Sequence, residues 1–497
     1  MKPFLRNLFR LLALIAGLGL IPTGRVTAQT FTTLHSFTNV PSDGAEPIAG
    51  LILSGNTVYG TATSGGSWGN GTVFKVKTDG TGFTNLHIFA LAGNDAQGSY
   101  TNSEGTSPRG ELILFGNTLY GTATAGGSSG NGTVFKVNMD GTGFTILHSF
   151  TALSLFLSGT NLDGAYPQAG LILAGSVLYG SARDGGSSGY GTVFTVNTDG
   201  TDFRTLYSFT ATSGPFPPAN SDGANPDAGL ILSGNTLYGM ARFGGSSGRG
   251  AIFAVNTDGT GFTTLHSFTA TSGLPPFSNS DGADPLAGLV LSGNTLYGTA
   301  ANGGDSNYGT VFKVNTDGTG FTTLHSFPAT SGINVRTNRD GAHPHAGLIV
   351  SGNTLYGTAA GGGRSGGGTV FQVNTDGTGF TPLYSFTALS NSTNSDGSFP
   401  RAGLILSGNT LYGTAFVGGR SGYGTVFGLS LGSISAPQLT ITRSGANVIL
   451  TWPANASTFT LQSTPSLPGT FTSISAATSP YTYPIVGARQ FFRLISN

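Results

Sequence analysis

The tripeptide Leu-Tyr-Gly, Val-Tyr-Gly in its first copy, sets tyrosines at positions 59, 120, 179, 238, 297, 356 and 412, a period of about 59 residues. An internal repeat of that length constrains the fold before any motif does. The first copy reads Ala-Gly-Leu-Ile-Leu (49–53), a Ser-Gly-Asn turn, Thr-Val-Tyr-Gly-Thr-Ala (57–62) and a Gly-Gly loop (65–66). It continues with Thr-Val-Phe-Lys-Val (72–76), Thr-Asp-Gly (78–80) and Phe-Thr-Asn-Leu-His-Ile-Phe (83–89). Short β-branched and aromatic runs bounded by Gly, Asn and Asp are strands joined by hairpins. Each copy therefore predicts four strands, a to d, in one antiparallel sheet.

The two ends of the repeat array carry more information than the period. Strand d is expected at 31–37, 83–89, 144–150, 203–209, 262–268, 321–327 and 380–386, and strands a to c also occur seven times, the last set at about 402–429. The chain thus opens on a lone d strand and its final a–b–c set lacks one. The Asp-Gly of the c–d link (Asp79, Asp140, Asp199, Asp258, Asp317, Asp376) is likewise missing after Phe427. A ring closes this deficit by pairing the first strand with the last sheet, which removes an exposed edge. An open solenoid would instead need capping repeats. The predicted fold is all-β: a seven-bladed β-propeller of four-stranded blades over 29–431, closed by its N-terminal strand. The 82 Gly and 23 Pro would mark a near-disordered chain if aperiodic, but here they recur at the turns.

The LYGTA, GG, GTVFxVNTDGTGF and LHSF segments resemble the GloVer tandem repeats of exported proteins in environmental bacteria, over roughly 30–430. That resemblance implies a propeller-like repeat fold and no particular activity. The order strand, Gly-Gly, strand is also similar to kelch blades, although the kelch Trp is absent from strand d. Past Leu431 the period stops. Residues 436–497 alternate as strands (438–442, 447–452, 459–462, and Phe491-Phe492-Arg493-Leu494) between Pro437, Pro453, Pro465, Pro468, Pro480 and Pro484. They predict a small β-sandwich-like domain, similar to the short C-terminal β-domains of many exported bacterial proteins. About 60 residues without a disulfide is marginal for independent folding, so docking on the propeller or on a partner is expected.

Lys2, Arg6 and Arg10 precede the apolar run from Leu11 to Ile21, and Val26-Thr27-Ala28 offers a cleavage site. This is signal-peptide grammar, and the run is shorter than the roughly 20 residues of a membrane span. The expected signal peptide is 1–28, cut near Ala28, which places the protein outside the cytoplasm: secreted, periplasmic or on the cell surface. Cleavage removes four cations and no anion, turning a chain balanced at 21 basic and 21 acidic residues into a mildly acidic one. No basic footprint remains for nucleic acid, and no further run is long enough to span a membrane. Zero Cys excludes disulfides, thiolate metal sites and cysteine nucleophiles. A monomer without cofactor or metal is expected, with a polysaccharide or a surface protein as partner.

Comparison among the copies removes most candidate chemistry. Phe31, Phe37 and Phe74 each have an equivalent in every copy and read as packing between sheets. His35, His87, His148, His266 and His325 look like an array until the two remaining copies show Tyr207 and Tyr384, and Tyr does not replace His at zinc. Asp43, Asp163, Asp222, Asp281, Asp340 and Asp396, with Glu104 in the remaining copy, begin the motif Asp-Gly-Ala-x-Pro. The Asn two residues earlier in most copies invites a calcium-loop reading. Pro218 and Arg336 occupy its first position in two copies, so an Asx turn is expected. The remaining acids are Glu46, Glu111, Asp95, Asp184, Asp202, Asp227, Asp284 and Asp305, with no pair marked by spacing.

The a–b and c–d links read as tight two-residue turns. The b–c and d–a links are longer, differ between copies and are expected on one face, where function on a rigid scaffold usually resides. Residues that break the repeat there are Trp68, Arg183, Asp184, Tyr190, Arg242, Phe243, Arg249, Asp305, Tyr308, Arg364, Phe416, Arg420 and Tyr423 in b–c loops. In d–a loops they are Glu46, Arg109, Tyr166, Asp227, Asp284, His343, His345, Phe399 and Arg401. Aromatics beside Arg and Asp suit sugar rings, so a non-catalytic protein binding a glycan, cell-wall polymer or protein through this face is expected. An alternative is a secreted carbohydrate-active enzyme at the channel mouth, which needs two facing carboxylates. A structural surface or matrix role is the third.

Overall fold

The computed structural model describes residues 29–94, 100–154, 159–272, 278–332, 335–432, 439–452, 459–467, 469–475, 477–485 and 490–496. The expected signal peptide (1–28), Asp95, Pro437, Pro453 and Pro468 lie outside the described residues. Every named element is a β-strand. The chain divides into two compact units, Phe31–Ser430 and a second that contains Leu431–Asn497.

The first unit is a β-propeller. Among the described residues it contains seven four-stranded sheets. In the third, strands a to d are Ile172–Ala174, Val177–Ala182, Thr192–Asn197 and Arg204–Ser208, each antiparallel to the next. The last sheet takes its outermost strand from the start of the chain, in the order Thr30–Ser36, Thr425–Ser430, Thr410–Ala415, Ile405–Ser407. Phe37 N–H donates to the Gly424 carbonyl at 3.0 Å, as Phe209 does to Gly191 within one sheet. The ring closes through this pairing, which gives the last sheet the fourth strand it lacks.

Apolar faces of neighbouring sheets form the cores. Tyr120, Val134, Leu147 and Phe150 of the second sheet pack on Leu171, Leu178, Phe194 and Val196 of the third. Across the closure Leu34, Phe37, Tyr412 and Val426 pack on Leu51, Val58, Phe74 and Val76. Phe37, Phe74 and most of their equivalents are fully buried, each stabilising its interface by about 2–3 kcal/mol.

A second latch lies outside these cores. The strand-d His or Tyr hydrogen-bonds the acid that begins Asp-Gly-Ala-x-Pro at 2.8–3.1 Å in six sheets, and in the remaining one His325 Nε2 lies 3.3 Å from Asp340 Oδ2. Its ring lies flat on a Phe of the neighbouring sheet, with centroids 3.5–4.2 Å apart. Asn161 shows how the accompanying Asn is used. Its Nδ2 donates to the Thr151 and Gly164 carbonyls, and its Oδ1 accepts from Gly164 and Gly186 N–H. These groups are structural, as an Asx-type turn requires.

The c–d link differs from the expected two-residue turn. Six residues, 78–83, separate Lys77 from Thr84. Asp79 Oδ1 accepts from both Thr81 N–H and Thr81 Oγ1, and Gly80 takes the left-handed φ of 82°. Phe83 precedes strand d because its ring is engaged on His35 of the preceding sheet, which delays the start of the ladder.

The second unit, by itself, holds two three-stranded sheets. One joins Thr440–Ser444, Asn447–Thr451 and Tyr481–Pro484; the other joins Thr472–Ser473, Phe459–Thr464 and Phe491–Ser496. Leu450 and Leu461 are buried, and the Tyr483 and Phe492 rings meet edge to face with centroids 5.0 Å apart.

Candidate functional site

The residue before Pro in Asp-Gly-Ala-x-Pro positions the loop face. It is Glu46, Ser107, Tyr166, Asn225, Asp284, His343 and Phe399 in turn, and all seven have φ between 54° and 59°. Non-glycine residues take this conformation only where surroundings impose it. Here the N–H donates to a b–c loop carbonyl of the preceding sheet (Asn225 to Tyr190, His343 to Tyr308). The carbonyl accepts from the start of its own b–c loop (Arg242 to Asn225, Ala360 to His343). One fixed backbone thus carries seven different side chains, and it ties the d–a and b–c loops to the same end of the sheets.

One cavity of about 490 Å³ is lined by all seven sheets around the central channel. Its innermost positions are Gly50, Gly170, Gly229, Gly288, Gly347 and Gly403, with Glu111 where the second copy departs from glycine. A Cβ on Gly50 would lie 2.8 Å from Glu111 Oε2, so the missing side chain of one sheet makes room for the carboxylate of the next. The channel keeps Glu111 in reach of solvent. Desolvation by the surrounding wall pushes its carboxyl up to about 7, a rise that channel water tempers. Arg109, His345 and Arg401 also line this cavity. Arg401 lies over the Phe416 ring at 4.5 Å, and Arg109 Nη1 is 3.4 Å from Gln168 Oε1. Burial, with the charges of Arg401, His343 and Arg242, pushes His345 down to about 4.

An ion cluster lies between the third and fourth sheets. Asp227, its side chain 7% exposed, is 3.6 Å from Arg183 Nε and 3.5 Å from Arg242 Nη1. Asp184 is 3.9 Å from the same Arg183 nitrogen and accepts from Asn225 Nδ2 at 2.7 Å. Burial raises the proton affinity of both acids against the pull of the arginines. Two carboxylates do share this corner, but the guanidiniums between them hold them as a structural cluster.

Two hollows repeat the same position two sheets apart. One, of about 310 Å³, is lined by Tyr190, Thr212, Phe216, Pro217, Phe243, Arg249 and Asp284. The other, of about 410 Å³, is lined by Tyr308, Thr330, Val335, Arg336, His343 and Phe399. Each has a b–c tyrosine, a d–a loop as wall and a left-handed residue at its edge. Phe216 is 91% exposed, and Tyr308 Oη accepts from Thr330 Oγ1 at 2.9 Å.

The model of the Gloeobacter/Verrucomicrobia repeat matches residues 16–154, 96–278, 218–336 and 270–436. The chain belongs to this repeat family. No curated protein matches this member of the Gloeobacter/Verrucomicrobia repeat family. Among solved structures it is similar to a puromycin hydrolase, at 13% identity over 83% of this chain and 59% of that one, TM-score 0.45. It is also similar to the GH74 enzyme of Niastella koreensis, at 16% identity over 90% and 61%, TM-score 0.42. A third is a putative 6-phosphogluconolactonase from Bacteroides uniformis, at 14% identity over 88% and 98%, TM-score 0.40.

In this Gloeobacter/Verrucomicrobia repeat protein the sequence-derived candidates fall into separate groups. Tyr190, Phe243, Arg249 and Asp284 share one hollow, while Tyr308 and His343 share the other. Arg183, Asp184 and Arg242 belong to the ion cluster, and His345 and Arg401 to the channel. Arg364 lines a rim hollow of about 370 Å³ with Arg339 and Tyr384. Glu46 Oε2 accepts from Ser64 Oγ, and its N–H donates to the Tyr423 carbonyl. Arg420 N–H donates to Ser36 Oγ. Trp68, 54% exposed, lines none of these cavities. His343 Nδ1 hydrogen-bonds the Ala301 carbonyl at 3.0 Å. Loop variation alone missed Glu111, although aligning the copies shows it at a glycine position. Among the described residues no helix is long and apolar enough to cross a membrane.

Proposed function

We propose that this chain is an exported, non-catalytic repeat protein that binds a glycan through the b–c and d–a loops of one propeller face. Repetition of a tyrosine-lined hollow at equivalent positions two sheets apart is the observation that carries this reading. Each hollow combines a ring face, an apolar wall and Arg or Asp at its edge. A sugar ring stacks its apolar face on an aromatic while its hydroxyls find polar partners. Equivalent hollows on a rigid ring suit a polymer with a repeating unit better than a single small molecule. A glycan array on the full chain tests this, with Tyr190→Ala and Tyr308→Ala as variants and Trp68→Ala as control. Binding is expected to fall in the first two and persist in the third; undiminished binding in both tyrosine variants overturns the reading.

Glu111 supports a second reading, a carbohydrate-active enzyme at the channel mouth, because a raised carboxyl is what a general acid requires. Among the described residues, however, Glu111 is the only acid lining that cavity. Glycoside hydrolysis generally takes a facing pair. Binding is therefore the better supported reading.

A further inference from the structure

The fourth-sheet acid Asp227 neutralises Arg183 and Arg242, but the arginines at the channel mouth have no such partner. Among the described residues neither Arg109 nor Arg401 lies within 4.0 Å of a carboxylate. Their positions are equivalent in the second and seventh sheets, and between them in the ring stands Ile48 of the first. Both line the same cavity, Arg401 braced on Phe416 and Arg109 beside Gln168. Two guanidiniums held by neighbours at one opening, neither closed off by a direct ion pair, form a prepared site for a planar oxyanion.

We propose that Arg109 and Arg401 form an oxyanion subsite at the channel mouth that takes the carboxylate of an acidic polysaccharide. This rests on the glycan reading of the loop face and adds the charge of the polymer to it. Burial together with the Arg109 charge lowers the Arg401 pKa, partly offset by Glu46, and a bound anion relieves that repulsion. Glu111 makes the subsite pH-sensitive. The charged or titratable groups lining the cavity are Arg109, Glu111, His345 and Arg401, and the Glu46 carboxylate acts on Arg401 from beside it. His345, pushed down to about 4, stays neutral above that value. Glu111 is thus the lining group that changes charge near neutrality. Protonated, it leaves the arginines to the incoming anion; ionised, it opposes that anion within the same cavity.

Isothermal titration of the full chain with an oligogalacturonate, with the same oligomer methyl-esterified, and with inorganic phosphate tests the subsite. Esterification removes the charge and keeps the sugar rings. The acidic oligomer is expected to bind more tightly than the ester, by about tenfold or more, and Arg109→Gln/Arg401→Gln to abolish that preference with an unchanged melting temperature. Wild-type affinity for the acidic oligomer should be greater at about pH 5.5 than at about pH 8.5, and Glu111→Gln should level the two. Equal affinity for both oligomers, sensitive to Tyr190→Ala but not to the arginine pair, overturns the subsite and leaves the glycan reading standing. Binding of neither oligomer removes both. Phosphate binding as tight as the oligomer's and equally dependent on the two arginines overturns the polysaccharide assignment. A pH dependence unchanged in Glu111→Gln overturns the role of that carboxylate.

Discussion

His148 Nε2 lies 2.9 Å from Asp163 Oδ2, and the same imidazole rests flat on Phe203 of the next sheet at 3.6 Å. One side chain thereby joins a strand end, a d–a loop and a neighbouring sheet. Tyr207 makes the same two contacts, to Asp222 at 2.9 Å and Phe262 at 3.8 Å. The position asks for a flat ring with a polar tip, not for imidazole. His148→Tyr should therefore change stability by less than about 1 kcal/mol, while His148→Ala should lose about 2 kcal/mol of stacking and hydrogen bonding. Urea unfolding of both variants measures the difference, and equal losses would rule out this account of the latch.

The acids of this latch set a pH dependence of stability. Burial alone would raise the Asp43, Asp163 and Asp281 carboxyls. Hydrogen bonds from His and Thr and the His charge outweigh it and hold all three below the ordinary value. A depressed folded value means that the unfolded chain takes up protons first. The stabilisation is complete above the unfolded value of about 4 and is lost as pH falls through the folded values. Melting temperature should drop below about pH 4, and Asp163→Asn should shallow that slope. Parallel melting curves for the wild type and the variant would contradict the linkage.

Ring closure predicts a specific equivalence. Phe31 stacks on Tyr384 at 4.2 Å and meets Phe427 at 5.2 Å, whereas Phe83 stacks on His35 at 3.6 Å and meets Phe74 at 5.8 Å. The first contact set joins the closing strand to the end of the repeat array; the second joins the same strand, through His35, to the first sheet. Phe31→Ala and Phe83→Ala should each lose about 2–3 kcal/mol. A negligible loss for Phe31→Ala alone, measured by denaturant unfolding, would mean that the first strand does not hold the ring shut.

The strands, the sheet count and the exchange of His for Tyr were legible because seven copies act as controls on one another. The closing strand was legible from a deficit at one end and a surplus at the other. Local backbone chemistry was harder to read. Glu46, Tyr166, Asp284, His343 and Phe399 looked like free loop variation, yet all take a left-handed φ that bonds from neighbouring sheets impose. Phe83 looked like the first residue of strand d because its partner, His35, belongs to another sheet. Glu111 stood among the remaining acids with no partner marked by spacing. Its meaning comes from Gly50, 61 positions away in the chain and adjacent in the channel.

Two glycines separate rigid from forgiving positions. Gly309 has φ of 97°, and a Cβ there would lie 2.5 Å from Pro344 Cδ and 2.6 Å from the Ala300 carbonyl oxygen. Neither neighbour yields, since one is a ring in the next sheet's loop and the other is backbone at the end of strand b. Gly309→Ala should therefore lose about 3 kcal/mol or more through left-handed strain and collision together. At Gly50 the nearest atoms belong to the Glu111 carboxyl, the far end of a flexible chain that can turn into the channel. Gly50→Ala should lose less than about 1 kcal/mol. By moving that carboxylate from the wall toward channel water, it should also return the Glu111 pKa toward about 4.3, read by carboxyl NMR titration. A Glu111 titration left where it was, despite a folded Gly50→Ala protein, would show that the wall around Gly50 does not set the proton affinity of the channel.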